Sequence, residues 1–224
     1  YNVANNQVYK FVDSKTIHIP SISVSGRKNV NRDAIDGNFQ RNVDNSFETK
    51  TLTFYREWPT SIDPADVLDT NMILTIQNAT KVFNEEQKFP EKDAYTISKI
   101  YADWTAEGKQ ADKTVLSVDN VLLVFDKLME AMDEALVPSN GRLLYVTPAV
   151  KTLLKQASQI GLSRNVQTGA NTINRVVDRL DEIKLISVPS FLMKTAYNFT
   201  TGFKPSGSAK QINMFLVHPS AILT

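Results

Sequence analysis

The sequence predicts an α+β chain with an extended front part and a compact, mixed rear part. Two observations carry this. Residues 16–25 and 47–57 alternate in the two-residue period of a strand and are separated by a long polar stretch. From residue 115 onward, runs with helical spacing alternate with short apolar runs of strand type, which suits a compact α/β or α+β core.

Composition narrows the field. The 224 residues suggest one or two domains, and a hydrophobic content of 42% supports a real core and excludes wholesale disorder. Lys plus Arg number 25 against 24 Asp plus Glu, a net charge of +1, which argues against a dedicated nucleic-acid binder. Cys is absent, so disulfides, thiolate nucleophiles and Cys-ligated zinc are excluded. The longest apolar run, Val121 to Phe125, is too short to span a membrane. The sequence begins at Tyr1 rather than Met and carries no signal-peptide pattern, and is read as processed or a fragment.

In order along the sequence, residues 1–12 are an Asn-rich arm that needs a partner surface. In 16–25, Ile17 and Ile19 share one face and Ile22 and Val24 the other, with the phase flipping at Pro20. Proline cannot donate to a ladder, so the reading is an edge strand or a bulge. Residues 47–57, rich in Thr and aromatics, are the expected partner. The polar stretch Gly26 to Ser46 is longer than the roughly 4–6 residues usual for a connection. A two-stranded ribbon is marginal alone, so this one is expected to lie on another subunit.

Asp63, Pro64 and Asp66 form a helix start. Met72, Ile73, Ile76, Ala79, Thr80 and Phe83, and after Pro90 Ala94, Ile97, Tyr101 and Trp104, predict a long amphipathic helix over about 70–106, broken at Pro90. A polar linker covers 107–116. Ser117 is read as the cap of a helix with the stripe Val121, Phe125, Leu128, Met132 and Leu136, its Met residues being core fillers. Arg142 to Val146 reads as a strand, Thr147-Pro148 as a helix cap, and 161–174 as a loop. Lys184 to Val188 and Gln211 to Val217 read as buried strands, 194–210 as loop, and His218 to Ala221 as a short helix.

No catalytic kit is present. There is no GxSxG elbow, no Gly-rich phosphate loop and no HExxH spacing. The two histidines, His18 and His218, lie far apart in sequence, and His218 reads as structural. Glu85-Glu86 and Asp181-Glu182 read as solvated, leaving a hydrolase with an unrecognised carboxylate site as one alternative. A nucleic-acid or carbohydrate-binding module is another, since Phe54, Tyr55, Arg56 and Trp58 could stack on bases, although cross-strand packing explains them equally well. Asn78-Ala79-Thr80 and Asn198-Phe199-Thr200 match glycosylation sequons, a weak pattern. Neither a catalytic residue, a cofactor nor a metal is expected.

Several stretches, taken in order, point further: Phe47 to Thr53, Asp63 to Asn71, Phe89 to Tyr95, Gly141 to Pro148, Ile186 to Ser190 and Phe215 to Ala221. The ordered set, over about 10–224, resembles major capsid proteins of tailed bacteriophages with the Hong Kong 97-like fold. The resemblance implies an extended β-hairpin loop, a long spine helix and a compact mixed α/β axial domain. It divides the sequence into an arm and extended loop (1–60), a peripheral domain (61–114) and an axial domain (115–224) whose returning C-terminal strand is expected to be missing. It implies a structural protein of the virion, made in the bacterial host cytoplasm. The partners would be copies of itself in hexamers and pentamers, scaffold or portal proteins, and packaged DNA contacted without specificity, with no membrane. The expected subunit-interface charges are Arg27, Lys28, Arg32, Arg41, Glu48, Lys50 and Arg56.

Overall fold

The computed structural model describes residues 15–26, 43–70, 72–73, 75–157, 177 and 179–222. These fall into two compact units, one within 15–60 and one across 61–222. The arm 1–12, the segment 27–42 and the expected loop 161–174 lie outside the described residues.

In the first unit, β1 (Thr16–Val24) pairs antiparallel with β2 (Val43–Thr51) in one unbroken register, Thr16 opposite Thr51 and Val24 opposite Val43. There is no bulge at Pro20. The backbone N–H of Leu52 donates to the Lys15 carbonyl at 2.8 Å. That rung sets the ladder's alternation, so Pro20, opposite Phe47, falls at a position whose nitrogen points away from β2, where a missing N–H costs nothing. The partner strand begins four residues earlier than 47–57 suggests and ends well before Tyr55. Residues 52–63 have no regular structure.

The second unit opens with α1 (Pro64–Asp69), whose cap Asp63 accepts the Ala65 N–H at 2.9 Å, as the sequence predicts. The predicted helix over 70–106 begins later. Met72 has φ 65, and Thr75 caps α2 (Ile76–Phe83) by accepting the Asn78 N–H. Pro90 does not break it. A π-helical turn, Asn84–Lys88, joins α2 directly to α3 (Phe89–Ala106), with the Phe89 N–H donating to Asn84. The wider turn relieves the clash a proline ring makes with the carbonyl four residues back. The helix therefore runs for about 46 Å from Ile76 to Ala106 at 1.5 Å per residue.

Next comes α4 (Val121–Glu134). Ser117 is not its cap; a turn intervenes, in which Ser117 receives the Val121 N–H on its carbonyl and donates its own N–H to Asn120 Oδ1. Val121 and Phe125 of the stripe are buried, Leu128 and Met132 partly, and Leu136 is exposed with φ 55. Strand β3 (Leu143–Val146) and α5 (Pro148–Gln156) follow, with Thr147 accepting the Val150 N–H as the predicted cap. The remaining strands are β4 (Arg179–Leu180), β5 (Ile183–Ser187), β6 (Tyr197–Asn198), β7 (Lys204–Pro205) and β8 (Met214–Val217). The segment 194–210, expected to be loop, thus holds a small hairpin, β6 with β7. Strand β8 is shorter than expected, Gln211 making only an isolated bridge to Lys194.

The main sheet has the order β4-β5-β3-β8, with β3 parallel to β5 and antiparallel to β8. Because strand side chains alternate, β3 feeds two cores. Leu144 and Val146 pack with Val121 and Phe125 of α4, Val150 and Leu154 of α5, and Ile183 and Leu185 of β5. Tyr145 packs on the other face with Ala94 and Ile97 of α3, Val188, Leu192, Met193 and Val217, and stacks on Phe215 at 4.9 Å. Met193 is fully buried and Met129 and Met214 flank the first core, so the filler reading of the Met residues extends to these.

Arg142, expected as the first residue of a strand, instead lies before it and is 2% exposed. Its guanidinium reaches Asp133 at 2.6 Å, the Pro138 carbonyl at 2.9 Å and the Val137 carbonyl, tying the end of α4 to the start of β3. Asp133 is 63% exposed at its side chain, so water can replace the lost partner on that side but not around the guanidinium. Arg142→Met is therefore expected to cost about 3 kcal/mol through the orphaned carbonyls, and Asp133→Asn less than about 1 kcal/mol. Urea denaturation of both variants checks this; equal costs contradict it.

The Tyr197 hydroxyl donates to the Phe191 carbonyl at 2.7 Å and accepts the Lys194 N–H at 3.1 Å. Burial pushes this phenol up to about 12, the Lys194 hydrogen bond pulling the other way. The folded state thus holds the proton more tightly than the unfolded state does. The stability it contributes is full below the ordinary tyrosine value of about 10 and is lost as pH rises toward about 12. The stability difference between the wild type and Tyr197→Phe should be flat up to that lower limit and shrink above it. A difference independent of alkaline pH would contradict the assignment.

Candidate subunit interface

The register of the ribbon sorts its residues onto two faces. One carries Ile17, Ile19, Ser23, Asp44, Glu48 and Lys50; the other carries His18, Pro20, Ile22, Val24, Val43, Phe47 and Thr49. On the first face Ile17 is buried and Lys50 Nζ lies 2.5 Å from Glu48 Oε1, both side chains well exposed. On the second, Ile22 and Val24 are each 69% exposed, Phe47 64% and Val43 47%. His18 is held there by Thr49 Oγ1 at 3.2 Å and meets the Phe47 ring edge-on.

Of the seven expected interface charges, Arg27, Lys28, Arg32 and Arg41 lie outside the described residues. Glu48 and Lys50 are brought together, on each other. Arg56 stands in the irregular run after β2, its guanidinium carbon 5.9 Å from the Phe54 ring centre. Phe54, Tyr55 and Trp58 share that run and are not in the strand, so cross-strand packing does not account for them.

Sequence reasoning missed a second exposed apolar surface, in the other unit. Leu68, Met72, Ile73, Ile76, Val82 and Phe89 are all at least half exposed. Of the stripe over 72–83, Met72, Ile73 and Ile76 are exposed and Ala79, Thr80 and Phe83 partly buried, and only beyond Pro90 does the helix turn Ala94 and Ile97 into the core. Two shallow grooves run beside Ile76. One, of about 450 Å³, is lined by Ile76, Gln77, Thr80, Lys81, Asn84, Glu85 and Phe89. The other, of about 370 Å³, is lined by Ile62, Pro64, Val67, Leu68 and Ile76. Contiguous apolar exposure of this kind marks an interaction surface more often than a monomer's ordinary exterior.

Among the described residues no group of three or more His, Asp or Glu is placed to hold a metal ion. Burial raises the Asp93 carboxyl above its ordinary range, with Lys92 among the opposing influences, but Asp93 lines neither groove. Asp181 and Glu182 form the two-residue turn between β4 and β5, both with positive φ, so that pair is turn chemistry. No described helix is long and apolar enough to cross a membrane.

Removing charge from the first ribbon face should leave the fold untouched. Glu48→Ala and Lys50→Ala are each expected to change stability by no more than about 0.5 kcal/mol in denaturant titrations. A larger loss would show that the pair holds the ribbon together.

No protein family and no curated protein matches the sequence. Solved structures do match. One is a structure of Mycobacterium phage Che8, at a TM-score of 0.56 and 11% identity, covering 98% of this chain and 78% of that one. Another is the asymmetric unit of the mature capsid of bacteriophage PhiM1, at a TM-score of 0.54 and 14% identity, covering 93% of this chain and 68% of that one. With so little sequence in common, what is shared is the fold: this protein has a phage capsid-protein fold.

Proposed function

We propose that the protein is a structural major capsid protein that self-assembles into the icosahedral shell around a phage genome, with the Hong Kong 97-like arrangement. The observation that carries this is the pair of exposed apolar surfaces, on the ribbon and over 68–89, borne on a capsid-protein fold. In this reading residues 1–60 are the arm and extended loop, 61–114 the peripheral domain with its spine helix, and 115–224 the axial domain. Its partners are copies of itself, in hexamers and pentamers, with scaffold or portal proteins during assembly.

The physics fits a shell. Each contact is weak alone, but a subunit gripped on several sides gains by multivalency. A net charge of +1 limits self-repulsion and favours only non-specific contact with packaged DNA. The protein is then a component of the virion, made in the host cytoplasm.

A second reading rests on Tyr55, 79% exposed, and Trp58, 40% exposed, with Arg56 between them. Exposed aromatics beside a cation suit a module that stacks on nucleic-acid bases, and salt-dependent binding of single-stranded DNA would favour it.

Two double variants test the main proposal: Ile22→Asp with Phe47→Asp on the ribbon, and Ile76→Asp with Phe89→Asp on the helix. Each should abolish particles in electron micrographs while thermal melting of the dispersed protein stays within a few degrees of wild type. Particles formed normally by both variants would overturn the assignment of these surfaces.

A further inference from the structure

The turn between α4 and β3 holds a reactive pair. Asn140 and Gly141 are both exposed, and Gly141 has φ 87, in the left-handed region that suits glycine. Its N–H donates to no described residue. The Asn140 backbone carbonyl oxygen lies 3.2 Å from His218 Nε2. A carbonyl only accepts, so Nε2 carries the hydrogen. Nδ1 then serves as acceptor, taking the Ser220 N–H at 3.3 Å and facing the Ser220 hydroxyl at 2.6 Å. The imidazole is thereby fixed with its N–H on the peptide group that links Asn140 to Gly141.

A hydrogen bond onto that carbonyl draws electron density from the peptide and stabilises the anion left when the Gly141 nitrogen loses its proton. That nitrogen lies one bond past the asparagine backbone, at the spacing that closes a five-membered ring on the amide of the asparagine side chain. Gly141 also leaves the approach open. A β-carbon there would stand 3.7 Å from His218 Nε2 and would strain the backbone.

We propose that Asn140–Gly141 is a self-modification site at which His218 promotes deamidation. Solvent base takes the Gly141 amide proton, and the nitrogen attacks Cγ of Asn140. The new N–Cγ bond forms as the bond from Cγ to Nδ2 breaks, and ammonia leaves with a proton from water. Water then opens the succinimide at either carbonyl, giving aspartate or isoaspartate at position 140, with no change of oxidation state. The turn gains a carboxylate. In the isoaspartate product the backbone gains a methylene, next to the Pro138 and Val137 carbonyls that hold Arg142. This inference stands independently of the capsid reading.

The test is to age the purified full-length protein at mildly alkaline pH, with and without urea, and to map the tryptic peptide Leu128–Arg142 by mass spectrometry. The wild type should accumulate both products, and Asn140→Gln neither. His218→Phe should convert roughly tenfold more slowly when native, the scale of one lost charge-assisted hydrogen bond, and at the wild-type rate in urea. Asp36-Gly37 can also form isoaspartate, but it lies on a different tryptic peptide and is read separately. No conversion in the native wild type, or equal native rates with and without His218, overturns the proposal. If His218→Phe fails to fold, the wild-type rates decide: faster in the native protein than in urea supports the proposal, and equal or slower overturns it.

Discussion

Strand β3 has two buried faces, and most of the second unit follows from that. A four-residue strand placed between β5 and β8 sends Leu144 and Val146 to one side and Tyr145 to the other. Each side must then be covered. Helices α4 and α5 cover the first, and α3 with the segment around Leu192 covers the second. Arg142 fixes the strand's entry by clamping the end of α4, at the position where a buried cation can be satisfied by two carbonyls and a carboxylate.

What the core does not use defines the exterior problem. The helix from Ile76 to Ala106 buries its far half through Ala94 and Ile97, while its near half leaves Ile76, Val82 and Phe89 in water. Among the described residues the ribbon has two strands, with every residue of β2 exposed. Two strands are marginal in water on their own, and apolar side chains left outside, such as Ile22, Val24 and Phe47, gain from association. Covering by further copies of the same protein is the proposed resolution.

Local chemistry makes much of this legible in the sequence. The caps at Asp63 and Thr147, the turn and short helix after His218, and the alternation of β1 are all decided by neighbours within a few residues. What the sequence hides depends on longer range. Proline at position 90 signals a break, yet a π turn absorbs it, a choice set by the packing of Ala94 and Ile97. A helical apolar stripe says that one face is buried, but not whether it is buried within its own subunit or only against something else, and the stripe over 72–83 enters no core. Charge and apolar exposure single out different residues of the ribbon. Where Glu48 and Lys50 are described they satisfy each other, and the neighbouring apolar face of Ile22, Val24 and Phe47 is the one left in water.

Amide hydrogen exchange on dispersed and assembled protein tests the central claim most directly. If the ribbon depends on neighbouring copies, the amides of β1 and β2 exchange nearly as fast as those of an unfolded polypeptide when the protein is dispersed. They become strongly protected on assembly, while β3 is protected in both states. Equal protection of the ribbon in the dispersed and assembled protein would contradict the account.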